Sequence, residues 1–284
     1  EVLGKMKRIE NFVALTIVII FTLVGAYLVE EGDPPKNSPT KDLEIHFLDV
    51  GQGDSILFEQ KNEQVLIDGG PDETVLMELG RVLPIDDRTI ETIVITHPHA
   101  DHLGGLIYVL QSYDVGKIYY NGVSSKTPEY LQLMDVISQK KIPIERLFAG
   151  KSFWSQKVYF STLWPDEEII ANEVNDTSLI IEASYYNSRV LLTGDASAGV
   201  QRKILGSLRE VSILKISHHG SNTGTDKDIL AVLTPKYAII TVGKNSYGHP
   251  TSTVLAYLAN SIVKRTDRDG TVSFWADQSG VFLY

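Results

Sequence analysis

The chain of 284 residues contains no cysteine. That removes disulfide partners, thiolate metal ligands, a cysteine nucleophile and any cysteine-borne lipid, so the chemistry has to rest on nitrogen and oxygen. The absence says little about compartment, because a chain this long needs no disulfide to hold a core. Histidine is scarce, with seven in all, and no block of lysine and arginine offers a basic patch. The 26 basic and 36 acidic side chains leave a net charge of −10, and because the first 41 residues are balanced, the whole excess lies on the remainder. An acidic body has no built-in attraction for nucleic-acid phosphates, although bound divalent cations reverse the field locally. Hydrophobic and charged fractions of 43% and 22% are ordinary for a globular chain and exclude general disorder.

Long apolar runs are also nearly absent. The exception is "NFVALTIVIIFTLVGAYLV", residues 11–29, with no charge over 19 positions. At about 1.5 Å per residue it nearly matches a hydrocarbon layer of roughly 30 Å. Lys5, Lys7 and Arg8 precede it, and Glu30, Glu31 and Asp33 follow. The expectation is a single-pass transmembrane helix within residues 1–30, its N-terminus cytoplasmic and everything after it extracytoplasmic, at the cell membrane. A cleaved signal segment is the rival reading, although its apolar part usually runs only about 7–15 residues. Residues 31–42, "EGDPPKNSPTKD", read as a linker, which leaves residues 43–284 as the folded domain.

Within that domain, short β-branched runs alternate with helix-like stretches. Strands are expected at 44–50, 55–60, 64–70, 91–96, 116–121, 158–165, 178–185, 189–195, 211–217, 237–243 and 271–276. Helices are expected at 102–113, 128–139, 197–208, 227–234 and 251–260. The polar residues that close these strands carry the information. "TIVIT" delivers His97, His99, Asp101 and His102; "RVLLT" delivers Asp195; "ILKIS" delivers His218 and His219; "AIITVG" leads to His249. In layered α/β folds, ligands gather at strand C-termini, where rigid backbone meets open loops. Six of the seven histidines sit at such ends, and only His46 lies inside a strand, where it reads as a pleat residue with no metal role.

Spacing in "HPHADH" lets His97 and His99 converge on one ion across an extended turn, while Asp101 and His102, a step later, serve a second. Imidazole and carboxylate without sulfur suit Zn²⁺, Mn²⁺ or Fe²⁺. A carboxylate such as Asp195 is able to bridge two cations. Metals about 3.5–4 Å apart hold a hydroxide between them and polarise a phosphoryl or carbonyl oxygen. The plain alternatives are a capping role for Asp195, since "GDASAG" opens a helix, and a polar loop for His218 and His219.

"THPHADHLGG" resembles the hallmark metal motif of the metallo-β-lactamase fold. "FLDVGQGDSILFE", "VLIDGG", "NDTSLII", "LLTGD", "LKISHHGSNTGT", "YAIITVGKNSYGHP" and "VKRTDRDGTVSF" are similar to the ordered motifs of the hydrolase domain in ComEC/Rec2 competence proteins. Together they span residues 47–275. The resemblance implies an α/β (α+β) fold, a four-layer αββα sandwich with a dinuclear site at its edge, here preceded by the transmembrane helix. It implies that His97 and His99 hold one metal, that Asp101, His102 and one of His218 and His219 hold the other, and that Asp195 bridges them. Period-two alternation sends the two neighbouring histidines opposite ways, so His219 is expected as the ligand and His218 toward substrate. Asp101, His218 and His249 are then the groups nearest the reacting atoms, with His249 either a proton donor to the leaving oxygen, an anion binder or a structural residue.

One departure from the wider superfamily stands out: no histidine occurs between His102 and His218. Asn175, Asp176 or Ser178 is therefore expected to complete the shell through an oxygen or a held water, which leaves one metal more open and keeps Mn²⁺ beside Zn²⁺ as a candidate. Asp54 in "GQGD" and Asp68 in "IDGG" are expected to orient ligands from behind, against the alternative of turn chemistry.

The expected function is a metal-dependent hydrolase using a metal-bound hydroxide. Its favoured substrate is a phosphoester, either DNA in the manner of a competence nuclease or a small phosphodiester. A lactam, lactone or thioester hydrolase is the second expectation, and a non-catalytic metal-binding module the third.

Overall fold

Alternating apolar residues build two sheets that share one apolar interface. The computed structural model describes residues 41–168 and 173–284. The expected transmembrane segment lies outside the described residues, and among those residues no helix is long and apolar enough to cross a membrane.

The first sheet has eight strands in the order β15-β14-β1-β2-β3-β4-β5-β6. They are β1 (Leu43–Phe47), β2 (Ile56–Gln60), β3 (Glu63–Ile67), β4 (Thr89–Ile95), β5 (Asp114–Tyr120), β6 (Ile144–Arg146), β14 (Val272–Asp277) and β15 (Gly280–Leu283). The second has seven, in the order β13-β12-β11-β10-β9-β8-β7. These are β7 (Ser152–Ser155), β8 (Val158–Trp164), β9 (Ile180–Tyr185), β10 (Ser188–Leu192), β11 (Ile213–Lys215), β12 (Tyr237–Ile240) and β13 (Ile262–Arg265). Each sheet is mixed: β3 to β6 run parallel, as do β10 to β13, and the other pairings are antiparallel.

Every second residue of the central strands enters the space between the sheets. Ile45, Phe47, Phe58 and Phe274 from one sheet meet Phe160, Ile181, Val190 and Ile239 from the other, all buried. The opposite face of the first sheet packs Leu57, Leu66 and Ile93 against helices α1 (Thr74–Val82), α2 (Ala100–Ser112) and α3 (Pro128–Lys140). The outer face of the second sheet packs Leu191, Leu214 and Ile240 against α4 (Ala198–Lys203), α5 (Lys227–Leu233) and α6 (Ser252–Tyr257). A short α7 (Thr266–Asp269) follows β13. Helix, sheet, sheet and helix thus form four layers around three apolar cores, the architecture expected from the motifs.

The differences from expectation are local. The strands stop earlier than their apolar runs: β1 ends at Phe47 and β11 at Lys215, and the residues beyond them turn into loops. Strands β6, β7, β13 and β15 and helix α1 escape a reading of the sequence. All four strands are short, three to four residues, and lie at sheet margins where one face or both meet water and alternation fades. Helix α1 has Glu73 as its N-cap residue, whose side chain makes no capping bond, so the residue at that position gives no capping signal.

Candidate metal centre

Three loops meet at one edge of the sandwich. The first leaves β4 at Thr96, carries His97 and His99, and enters α2, whose first turn holds Asp101 and His102. Its path depends on bare backbone. A Cβ on Gly105 would lie 2.0 Å from the Gly69 carbonyl oxygen, and one on Gly53 would lie 2.1 Å from that of Asp101. Only glycine lets the "GQGD" and "IDGG" loops press this close against the start of α2. The second loop leaves β10 and presents Asp195. The third leaves β11 and presents His218 and His219, both with left-handed backbone (φ 50° and 53°).

One ligand atom from each of Asp101, His102, Asp195 and His219 lies within 4.8 Å of the others. His102 Nε2 is 3.4 Å and His219 Nε2 is 3.5 Å from Asp195 Oδ2, and His219 Nε2 is also 3.3 Å from Asp101 Oδ2. Both nitrogens are buried, and neither completes a hydrogen bond among the described residues. Beside them, His97 Nε2 and His99 Nδ1 face each other at 3.2 Å, and the rings of His97 and His102 lie 4.2 Å apart. Bare imidazole nitrogens converging with carboxylate oxygens are what a divalent metal requires of a site, so the donor set fits one.

Groups behind the ligands fix their tautomers. His102 Nδ1 donates to Asp68 Oδ2 at 2.7 Å, which leaves Nε2 bare toward the site. His219 Nδ1 donates to the Thr241 carbonyl at 2.8 Å, with the same result. Asp68 also accepts from the Thr96 amide and hydroxyl, and that hydroxyl lies 3.1 Å from His97 Nδ1. Asp68 thus stands behind His102 and His97, and Asp54 Oδ1 lies 3.5 Å from His219 Nδ1.

The field at the site favours positive charge. Burial would raise the carboxyl of Asp195, but His219, His102 and Lys215 outweigh it and hold the group well below the usual range. Asp101 is likewise held low, with burial opposed by His102 and His219. Burial pulls His219 down, yet Asp195 and Asp101 push it up to about 9. His102 is held well above its ordinary value by Asp195, Asp68 and Asp54 against the same burial. His97 goes the other way, driven well below its ordinary value by burial and then by His102. It stays neutral, whereas His102 and His219 hold a proton on Nε2 in this field and would exchange it for an ion bound at the same atom.

The remaining expected residues separate into those that face the site and those that support it. Asn175 faces it: its Nδ2 is 3.4 Å from His218 Nε2, and its Oδ1 is buried without a hydrogen-bond partner among the described residues. Asp176 Oδ1 accepts from the Ser197 amide and Ser178 Oγ from the Asp195 amide, so both help to hold the loop that carries Asp195. His218 is partly exposed, with Nε2 3.9 Å from Asp195 Oδ2. Its ring stands T-shaped to that of His249, with 5.6 Å between centroids. The separation of His218 from His219 has a different origin from the strand alternation expected: β11 has already ended, and two successive left-handed residues turn the chain.

Lys215 is the residue that motif reading misses. It is fully buried, 2.5 Å from Asp54 Oδ2 and 3.5 Å from Asp195 Oδ1, and it donates to the Gly194 carbonyl at 2.8 Å. Burial works against its charge, but Asp54 and Asp195 more than restore it. The signal was present in "SILKIS": a lysine inside an otherwise apolar strand needs a buried anion.

Comparison with known proteins agrees with this geometry. The model of the metallo-beta-lactamase superfamily matches residues 48–244. ComE operon protein 3 of Bacillus subtilis is 26% identical over 263 residues, covering 84% of this chain and 34% of that protein. Competence protein ComA of Neisseria gonorrhoeae is 27% identical over 257 residues, covering 87% of this chain and 34% of its own length. The chain thus spans about a third of these relatives. Among solved structures, the metallo-beta-lactamase fold protein YhfI from Bacillus subtilis superposes with a TM-score of 0.58 at 13% identity, over 82% of this chain and all of that one.

Proposed function

The chain belongs to the metallo-β-lactamase superfamily, in its ComEC/Rec2-type branch, and from that we propose that this metal-dependent hydrolase cuts phosphoester bonds at a dinuclear centre. The observation that carries the reading is the pair of buried, unpartnered nitrogens, His102 Nε2 and His219 Nε2, aimed between Asp101 and Asp195. Asp101, His102 and His219 would hold one ion and His97 and His99 the other, with Asp195 Oδ2 between them. Asn175 Oδ1 is the candidate to complete the second group, in place of the histidine this chain lacks. Zn²⁺ suits the donors best, and the oxygen of Asn175 keeps Mn²⁺ beside it.

Ions bound there would supply a water of lowered pKa and Lewis-acid stabilisation of charge on phosphorus-bound oxygens. The chain's own groups do the rest. Asp68 and the Thr241 carbonyl keep His102 and His219 in the tautomer that offers Nε2. Lys215 ties up Asp195 Oδ1, so Oδ2 alone is left facing the imidazoles. His218 and His249 line the approach, His218 to contact the phosphoryl group and His249 to hand a proton to the leaving oxygen.

The curated relatives named for competence favour DNA as the substrate. The net charge of −10 favours a small phosphodiester, because no basic surface offsets repulsion from a polyanion. Residues 11–29 would place the enzyme outside the cytoplasm as a membrane-anchored or secreted protein. The test is turnover of bis-p-nitrophenyl phosphate and of nitrocefin in parallel with Zn²⁺ or Mn²⁺ added, followed by digestion of linear and plasmid DNA. Phosphodiester turnover without nitrocefin turnover is expected; the reverse would overturn the phosphoester reading.

A further inference from the structure

A second convergence of ligand-type side chains lies away from the catalytic edge, on the face of the first sheet that looks away from its partner sheet. Ile45 and Phe47 of β1 point into the space between the sheets, so Glu44 and His46 point the other way. On β2, Glu59 stands directly across from Glu44 in the strand register. One ligand atom from each of Glu44, His46 and Glu59 lies within 4.8 Å of the other two.

His46 gives this grouping its direction. The residue is only 4% exposed. Its Nδ1 is engaged with Ser273 Oγ at 2.8 Å. Its Nε2 is buried with no hydrogen-bond partner among the described residues and points at Glu44 Oε2, 3.5 Å away. A buried polar atom without a partner is unfavourable, because it has lost its water and gained nothing in exchange. Two carboxylates facing each other across neighbouring strands add repulsion. Glu44 has no ion-pair partner other than His46 among the described residues, and Glu59 has none. The phenol of Tyr284 donates to the other oxygen of Glu44, which leaves Oε2 toward His46.

We propose that Glu44, His46 and Glu59 form a further site for a divalent transition-metal ion of the zinc type, separate from the catalytic centre. One imidazole nitrogen and two carboxylate oxygens match the preference of such an ion, with water filling the remaining positions. A dication cancels the two carboxylate charges, gives Nε2 its missing partner and ties β1 to β2. The protonation tendencies agree: burial first, then Glu44, pushes Glu59 up to about 7, and burial holds His46 below its ordinary value. The reading of His46 as a plain pleat residue gives way to this one.

The test counts zinc in the full chain by equilibrium dialysis and elemental analysis, for the wild type, His46→Gln and Glu59→Gln. Each variant is expected to bind one ion fewer than the wild type while the catalytic centre keeps its own. Glu59→Gln leaves the buried histidine in place and guards against a folding defect. Trp275 pairs with Glu44 in register on β14, so Cu²⁺ should quench its fluorescence in the wild type and not in either variant. An unchanged zinc count in Glu59→Gln with unchanged quenching would overturn the proposal, and neither readout depends on hydrolytic activity.

Discussion

The ammonium of Lys215 stands 2.5 Å from the carboxylate of Asp54, and both side chains are buried. Asp54 comes from the "GQGD" loop and Lys215 from the end of β11, so the pair fastens the two sheets together directly behind the cluster of imidazoles and carboxylates. Asp54 also accepts from the Thr241 hydroxyl. Lys215 reaches past it to Asp195.

Replacing Lys215 by methionine leaves two buried carboxylates without their cation. Breaking a buried pair from one side costs about 3–5 kcal/mol. Denaturant unfolding of Lys215→Met is expected to show a loss of that order. Lys215→Met combined with Asp54→Leu should recover part of it, and a double variant no more stable than the single one would refute the pairing.

Asp195→Asn and His219→Gln remove donors from the four-residue cluster. Both are expected to lose bound metal by elemental analysis. Turnover should fall further than the roughly 10–100-fold that loss of an outer partner costs. Retained phosphodiester turnover in Asp195→Asn would show that the chemistry lies elsewhere.

Asp68→Asn keeps the shape but loses the acceptor that sets the tautomer of His102. Metal affinity or turnover is expected to fall about 10–100-fold while the fold persists. Zinc titration against a chromogenic chelator measures it.

Removal of metal should lower thermal stability. A ligand present at 100 times its dissociation constant stabilises by about 2.7 kcal/mol. Melting in excess chelator and after re-addition of Zn²⁺ is expected to show a reversible rise. No shift would mean that the imidazole and carboxylate cluster binds nothing.

Gly53→Ala sets a Cβ against the Asp101 carbonyl from a backbone at φ +150°. A loss of about 1–3 kcal/mol is expected from overpacking. Metal affinity should fall with it, because the segment that must yield carries Asp101. Urea unfolding with and without zinc separates the two effects.

What the amino-acid order determined by itself is the chemistry and the layers. A cysteine-free chain that places imidazole and carboxylate after its buried strands has few uses for them other than a metal. Strand and helix periods mark alternating β and α segments, because local period reflects which face each residue must bury, and the resemblance of the motifs to the metallo-β-lactamase fold implied the αββα layering. Tertiary structure decided the allocation of roles among neighbours. That His219 turns inward and His218 to the mouth follows from two left-handed residues after β11. That Asp176 and Ser178 support the Asp195 loop while Asn175 faces the site depends on which backbone amides lie within reach. The partner of Lys215 is 161 residues away, and the grouping of Glu44, His46 and Glu59 exists only once β1 pairs with β2. Distances along the chain do not carry such pairings; they arise where separate segments must share one buried volume and satisfy each other's polar atoms.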